Sequence, residues 1–332
     1  AALMVVLADA KWVIFTAQTT IGASLAFLGP LIAAMTLGIA GRAMFTKQTS
    51  ANQAWNHAGN VVAAGIAAGL ALAGYVSGVF FVIAVMAAGM ILSTLLISSS
   101  EIDNDLARGG VASSGEGEKQ PSGFATIAAD KRMIIFATCV FLFHFANAAM
   151  LPLASQKLAV GSDTGKGIAF TSACIISAQF LMIPMAVLCG RTADVWGRKM
   201  LFLFAFSILP IRGVLYTLTD NSYLLVAIQP LDGVANGIFA VIFLLIVSDL
   251  TEGTGRFNIA QGAIATMVGI GASISNLLAE QIVEHLGYDA AFLFLAAVAL
   301  VGVVVFALTM PETARHALER TKSNATPSGG GQ

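Results

Sequence analysis

The sequence predicts an all-α membrane protein, and three observations carry that prediction. Hydrophobic residues make up 57% of the 332 residues and charged residues only 11%, against roughly 25% charged residues in an ordinary soluble domain. Long, predominantly apolar stretches recur along the chain, and such stretches are long enough to cross a hydrocarbon core of about 30 Å. They are continuously apolar instead of alternating, which excludes a transmembrane β-barrel.

Nine complete spans are predicted, and residues 1–7 look like the end of a tenth. Each span is a long apolar run bounded by polar or charged positions. In chain order the spans lie at 12–38, 58–75, 78–98, 133–155, 168–189, 200–218, 223–248, 260–283 and 288–310.

A polar segment at 99–132 divides these spans into two groups. Its serine, glycine and charged residues cannot build a packed core, so we expect a flexible linker. The predicted organisation is a partial first lobe (1–98), this linker, a second lobe of six spans (133–310) and a tail (311–332).

The distribution of basic residues predicts the orientation. If 39–57 is a cytoplasmic loop, alternation of the spans also places the linker, 190–199, 249–259 and the tail in the cytoplasm. These segments hold thirteen lysines and arginines, whereas the loops on the opposite side hold three. Such a bias is typical of cytoplasmic loops. We therefore expect a multi-pass protein of the plasma (inner) membrane with its linker and C-terminus in the cytoplasm.

Two segments share the pattern aromatic-x5-Gln-x3-Gly. They are "WVIFTAQTTIG" at 12–22 and "YLLVAIQPLDG" at 223–233, and each opens a long span. A repeat in the same orientation is typical of two-lobed transporters, although apolar helices also share short patterns by chance. If the lobes match, about 80 residues of the first lobe lie outside this sequence.

The stretch "LCGRTADVWGRKMLF" at 188–202 interrupts two apolar runs with charged residues. It resembles the loop signature of the major facilitator superfamily, Gly-x-Leu-Ala-Asp-Arg-x-Gly-Arg-Lys, and lies between the second and third spans of the second lobe, where the family has it. Thr192 and Val195 depart from the pattern. The matching residues are Gly190, Ala193, Asp194, Gly197, Arg198 and Lys199.

The resemblance implies a two-lobed helical bundle with twelve helices in the full family fold. This chain would run from the end of the third helix to the twelfth, and "PET" at 311–313 follows the last span. The implied function is secondary active transport of a small organic solute by alternating access, with proton-coupled export as the expected form. The Gly-Pro of the family's antiporter signature is absent from the corresponding stretch, "AGNVVAAGIAAGLALAG", which argues against drug/proton antiport.

The charged residues of the loop signature suggest a clasp between helix ends. Asp194 suits a positive helix N-terminus, while Arg198 and Lys199 suit acidic or carbonyl groups of neighbouring helices. The segment 248–258 supplies candidate partners. The alternative is a plain cytoplasmic turn whose basic residues only set the orientation. The candidate partners are Asp249, Glu252 and Arg256.

Polar residues inside membrane spans are energetically unfavourable, so they are candidates for functional residues. His144 lies near mid-span with Asn147 three residues later, on the same helix face. A histidine can carry a coupling proton near neutral pH, and a structural histidine is the alternative. Gln179 and Gln261 are weaker candidates for bridging helices.

Arg212 and Asp232 lie at similar depths on consecutive spans, about 10–14 Å from the same surface at 1.5 Å per residue. They can form an ion pair, either as a structural tie or as a pair that substrate or proton breaks during transport. Asn236 lies one turn from Asp232. Gln18 and Gln229 occupy matching repeat positions and could bind a substrate.

Other classes find little support in the sequence. The three cysteines lie inside apolar runs, at spacings that suit neither disulfides nor a metal site. No nucleotide-binding Gly-x4-Gly-Lys-Ser/Thr loop occurs. We expect no enzyme activity, cofactor, metal or nucleic-acid partner, and a monomer that binds a small solute, protons and lipid. A transport-inactive receptor or scaffold is the alternative.

Overall fold

A computed structural model describes residues 10–75, 77–110, 130–159 and 164–314. This part of the chain is helical, with ten α-helices and a short 3-10 turn at Ser99–Glu101. The helices are α1 Lys11–Leu72, α2 Gly78–Leu95, α3 Asn104–Ala107, α4 Lys131–Asn147, α5 Met150–Ala159, α6 Thr164–Trp196, α7 Arg198–Thr217, α8 Ser222–Leu250, α9 Phe257–Leu286 and α10 Tyr288–Thr309.

Seven helical stretches in the described part are long and apolar enough to cross a membrane. They are α1, α4 together with α5, α6, α7, α8, α9 and α10, and α2 contains a shorter apolar helix at Phe80–Leu95. This establishes a helical, multi-pass membrane protein. The count of nine spans and the two-lobed arrangement stay predictions, and residues 1–7 and most of the tail lie outside the described residues.

Helix α1 is far longer than one crossing requires, and it turns back on itself. Gly41 has φ 67° and ψ 170°, a conformation that glycine adopts readily because it has no Cβ. The amide of Asn52 donates to the hydroxyl of Thr36 over 2.9 Å, although a straight helix would separate these residues by about 24 Å. The two halves of α1 therefore lie side by side. The predicted loop at 39–57 is wrong in extent, because the turn is confined to Gly41.

The predicted span at 133–155 is interrupted between α4 and α5. The turn at 148–149 frees a backbone N–H, and the hydroxyl of Ser275 on α9 accepts a hydrogen bond from Ala149 N over 3.1 Å. Such a partner is needed because an unsatisfied backbone group inside a membrane is unfavourable. The neighbouring helix thus stabilises the break.

Residues 99–110 of the predicted linker are folded against the helices, whereas 111–129 lie outside the described residues. Asp103 N donates to Gly38 O of α1 over 3.1 Å, and Phe257 N at the start of α9 donates to Arg108 O over 2.9 Å. Arg42 also donates to Gly109 O over 2.9 Å. The expectation of flexibility fails here because backbone groups on both sides of the linker find partners in it.

The core is built around α6, α7 and α8. Helix α6 packs against α1 and α8, α7 against α8 and α10, and α9 against α4. Buried phenylalanines fill the space between these helices, with ring centroids 4.6 Å apart for Phe143–Phe239 and for Phe202–Phe306. This packing fixes the relative positions of the helices that carry the polar residues described next.

Candidate functional site

The signature residues form a cluster where α6 ends and α7 begins. Gly197 joins the two helices with φ 89° and ψ 158°, a conformation that is essentially restricted to glycine. This turn points the guanidinium of Arg198 back along α6. Its Nη1 donates to Ala193 O over 2.6 Å and to Asp194 Oδ1 over 2.7 Å.

Arg198 also reaches α8, since its Nε donates to Asp249 Oδ2 over 3.2 Å. Asp249 was one of the three partners considered from the sequence. The carboxylate of Asp249 accepts a second hydrogen bond from the hydroxyl of Thr313 over 2.9 Å. The structure thus brings α6, α8 and the segment after α10 together around one buried arginine, which is 5% exposed.

Glu312 completes this cluster, and the sequence analysis did not single it out. Its two carboxylate oxygens accept from the backbone N of Arg198 over 2.9 Å and of Lys199 over 3.1 Å. A carboxylate at a helix N-terminus is favourable because it satisfies free N–H groups and complements the helix dipole. The "PET" after the last span was the available signal. Asp194, Arg198, Lys199, Asp249 and Glu312 are called the loop cluster below.

The loop cluster also touches the second half of α1. Asp194 Oδ1 accepts from the hydroxyl of Thr46 over 3.2 Å. A Cβ on Gly190 would lie 2.7 Å from the Cβ of Ser50, so α6 approaches α1 as closely as it does because position 190 is glycine. The signature loop is therefore one of the places where the segment before the linker contacts the segment after it.

A second polar group lies inside the helical bundle. Arg212 of α7 forms an ion pair through Nη1 with Asp232 of α8. The side chain of Arg212 is 0% exposed and that of Asp232 is 10% exposed. Asn236 donates to Asp232 Oδ1 over 2.8 Å, and Asn147 of α4 donates to Asn236 Oδ1 over 3.3 Å. These four residues, called the buried network, connect three helices.

Several buried atoms around this network have no hydrogen-bond partner within the described part of the protein. They include Arg212 Nε and Nη2, Asn147 Oδ1 and the hydroxyl of Tyr216. The Arg212 guanidinium carbon lies 5.8 Å from the centroid of the Tyr216 ring. Because buried polar groups are nearly always paired in native proteins, the unpaired donors give this place the capacity to bind a further polar group.

His144 and Gln229, two of the other predicted candidates, form no hydrogen bond with the buried network in the described part of the structure. His144 packs against the Phe239 ring, with centroids 4.8 Å apart, and its Nδ1 lies 3.2 Å from Val140 O. Gln229 is fully buried near the Cys174 thiol. Gln18 falls in α1, but its side chain lies outside the described part of the structure.

A third polar group joins α1 to α6, and the sequence analysis named only one of its members. His57 Nδ1 lies 2.8 Å from Gln179 Oε1, and Asn60 donates to the same oxygen over 3.4 Å. His57, Asn60 and Gln179 are called the interhelical triad below. The signal was the "NHAGN" stretch, which the prediction left at a span boundary and which the structure places inside α1.

The described residues contain no cluster of three or more metal-ligating side chains. A cavity of about 840 Å³ lies between the first half of α1 and α9. Its lining is mainly apolar, with Phe27, Pro30 and Leu31 on one side, and none of the predicted site residues lines it.

Comparison with known proteins shows one family. The profile of the Major Facilitator Superfamily matches residues 133–329. Two uncharacterised MFS-type transporters of Mycobacterium tuberculosis, from strains CDC 1551 / Oshkosh and ATCC 25618 / H37Rv, are each 47% identical over 299 residues, which is 89% of this chain and 71% of the relative. Citrate exporter 1 of Yarrowia lipolytica is 29% identical over 123 residues, 36% of this chain and 18% of that protein.

Proposed function

Because the chain belongs to the Major Facilitator Superfamily, we propose that it moves a small organic solute across the plasma membrane by alternating access. The proposed transport is proton-coupled and directed outward, with the linker and C-terminus in the cytoplasm and the protein acting as a monomer. The proposal rests on one observation. Arg212 is buried in an ion pair with Asp232, and two of its guanidinium nitrogens have no hydrogen-bond partner among the described residues.

In this proposal the buried network binds the solute or the coupling proton. Arg212 has one guanidinium nitrogen on Asp232 and two nitrogens without a partner among the described residues. An incoming anionic or hydrogen-bonding group would engage these donors and weaken the hold on Asp232. A guanidinium favours carboxylates because of its fork of donors. The name of the citrate exporter supports organic acids and outward transport as the first possibilities to test.

The loop cluster has the second role in the proposal, as a latch for one of the alternating states. Its bonds join α6, α7, α8 and the segment after α10, and Asp194 and Gly190 extend them to α1. Breaking these charged contacts together would loosen one of the junctions between α1 and α6. A latch of this kind favours one conformation without contacting the solute.

His144 is proposed as a second proton carrier, although its contacts also suit a structural role. It is tilted against phenylalanine rings, and its hydrogen-bond partner is a backbone carbonyl of its own helix, Val140 O. Such a carbonyl accepts the Nδ1–H of a neutral imidazole, which suits a structural role. A substitution that removes titration but keeps hydrogen bonding separates the two roles.

The test is solute flux in proteoliposomes under an imposed pH gradient, with protein expressed from its complete coding sequence. The solute panel includes organic acids. We expect gradient-driven flux in the wild type, its loss in Asp232→Asn, and unchanged flux in Glu284→Gln, since Glu284 is exposed near the end of α9. His144→Gln tests the second carrier.

The outcomes separate the possibilities. Flux that survives Asp232→Asn would reduce the buried network to a structural tie. Flux that needs a solute gradient but ignores the pH gradient would remove proton coupling and leave transport. A correctly folded wild type that neither binds nor moves any member of the panel would favour a receptor or scaffold.

A further inference from the structure

The imidazole of His57 is held at the contact between α1 and α6, deep in the protein. His57 is 5% exposed. It lies about 24 Å along the helix from the Gly41 turn and about 22 Å from Leu72, at 1.5 Å per residue, so it is near the middle of the second half of α1. Its hydrogen-bonded partner, Gln179, belongs to α6.

The interhelical triad determines which nitrogen of His57 carries the proton. Gln179 Oε1 faces His57 Nδ1 at 2.8 Å and also accepts from the Asn60 amide. An amide oxygen only accepts hydrogen bonds, so Nδ1 of the neutral imidazole carries the hydrogen. Nε2 is then a bare acceptor. It is buried and has no partner in the described part of the chain.

Other titratable groups lie on the segments packed against α1. Within the described residues, none of them forms a hydrogen bond or ion pair with His57, whose partner is Gln179. Asp232 pairs with Arg212, while Asp194 and Asp249 pair with Arg198. The titratable groups whose side chains are described on segments packed against α1 include Cys174, Cys189, Arg191 and Asp194 of α6, Tyr223, Asp232 and Asp249 of α8, Glu280, Glu284 and His285 of α9, and Asp103, Asp105 and Arg108 of the linker.

From this arrangement we infer that His57 is a proton-binding site whose protonation opens the contact between α1 and α6. A proton added to Nε2 creates a buried imidazolium with a donor that has no acceptor and a charge that has no counter-ion. Burying such a group is strongly unfavourable. Separation of α1 from α6 relieves the penalty, because water then reaches Nε2.

The same two helices meet again at Gly190–Ser50 and Asp194–Thr46, beside the loop cluster. Opening at His57 therefore acts on a contact that the latch also holds. The place of this step in a transport cycle rests on the proposed function; the proton-dependent opening itself does not. Neutral His57 favours the closed contact, and protonated His57 favours the open one.

The test measures the α1–α6 distance in the reconstituted protein at different pH values, independently of any flux. Spin labels are attached to cysteines introduced by Lys47→Cys on α1 and Val195→Cys on α6, both at exposed positions. The native cysteines are buried and stay in place. Pulsed electron spin resonance then gives the populations of short and long distances.

Lowering the pH from about 8 to about 5 spans the titration of a histidine. For one proton taken up, the ratio of open to closed populations changes by up to about tenfold per pH unit. We expect this rise in the wild type and in His285→Gln, whose histidine lies at the exposed end of α9. We expect no rise in His57→Gln, which keeps a hydrogen-bonding amide but cannot titrate.

A second variant guards against a misfolded His57→Gln. Gln179→Glu places a carboxylate against the imidazole, so a protonated His57 gains a counter-ion and the opening at low pH should disappear. The inference would be overturned if the α1–α6 distance of the wild type did not change with pH, or if the opening at low pH persisted in both variants. Opening that depends on His57 without any solute flux would support the inference and count against the proposed transport.

Discussion

Two buried arginines on α7 differ in how completely they are bonded. Arg198, at the start of the helix, donates to Ala193 O, Asp194 and Asp249. Arg212, toward the other end, donates to Asp232, while its Nε and Nη2 find no partner in the described part of the chain. The first arginine lies at a helix junction and the second inside the bundle.

This difference indicates different tasks. A buried guanidinium whose acceptors all come from the protein holds helices in one arrangement, as Arg198 does for α6 and α8. One with free donors is costly in the resting protein and is explained when something else binds there during function. The loop signature therefore marks a junction of the fold, and the candidate binding place lies elsewhere on the same helix.

The largest expected effect comes from breaking the Arg212–Asp232 pair on one side. Arg212→Met leaves the buried carboxylate of Asp232 without its cation, and we expect the free energy of unfolding to fall by about 3–5 kcal/mol. The double variant Arg212→Met/Asp232→Leu should recover most of this loss, because two apolar side chains replace the pair. The free energy of unfolding is measured by denaturation in mixed micelles, with the reactivity of the buried cysteines as the readout.

The corresponding variants at Arg198 test whether the two arginines differ in this way. The double variant Arg198→Met/Asp249→Leu should recover little of the stability lost in Arg198→Met, since Asp194 and Ala193 O also lose their donor. Recovery equal to that at the Arg212 pair would show that the two arginines do not differ in the way the contacts indicate. Full recovery of both stability and flux in the Arg212 double variant would assign the buried network a structural role.

A smaller quantity is the expected difference in stability between two glycine variants, one of them at Gly197 just before α7. Gly197 and Gly287 have similar backbones, with φ 89° and 85° and ψ 158° and 173°. Both Gly→Ala variants should lose about 1–3 kcal/mol from backbone strain. A Cβ at 197 would overlap the Glu312 carboxylate, whereas one at 287 meets nothing within 4 Å.

Gly197→Ala should therefore be the less stable of the two by about 1–3 kcal/mol, the usual penalty of overpacking. The same denaturation measurement gives both values. Equal losses would mean that displacing the Glu312 carboxylate costs no stability, and that its contact with the start of α7 contributes little.

The smallest expected effect is the loss of stability when the charge of Glu312 is removed. Glu312→Gln keeps an acceptor near the backbone N of Arg198 and Lys199 but removes the negative charge from the helix N-terminus. We expect a loss of about 0.3–1 kcal/mol. Glu284→Gln, at an exposed position on α9, is the control and should change stability little. Equal stabilities of the two variants would leave Glu312 only its hydrogen bonds.

Some contacts could be predicted because they follow from position along one helix or from depth. The similar depths of Arg212 and Asp232 allowed an ion pair, and the structure forms it. The proximity of Asp249 to the signature loop followed from the alternation of spans. The extent of the turn at Gly41 could not be predicted, since a glycine in an apolar run is equally compatible with a continuous helix.

Contacts between residues far apart in the chain could not be predicted from the sequence either. Glu312 meets Arg198 across 114 positions, and Gln179 meets His57 across 122. No pattern within a window of one or two helical turns relates such residues. Their contacts depend on which helices become neighbours, which the packing of the whole bundle decides.

A helical membrane protein can be predicted from the sequence, because apolar length and composition act on each segment independently of the others. The sequence also determined the family, through a short loop of charged and glycine residues. Which polar groups are satisfied, and which keep free donors, depends on how the helices pack. That distinction depends on the atoms of neighbouring helices, which a single segment does not contain.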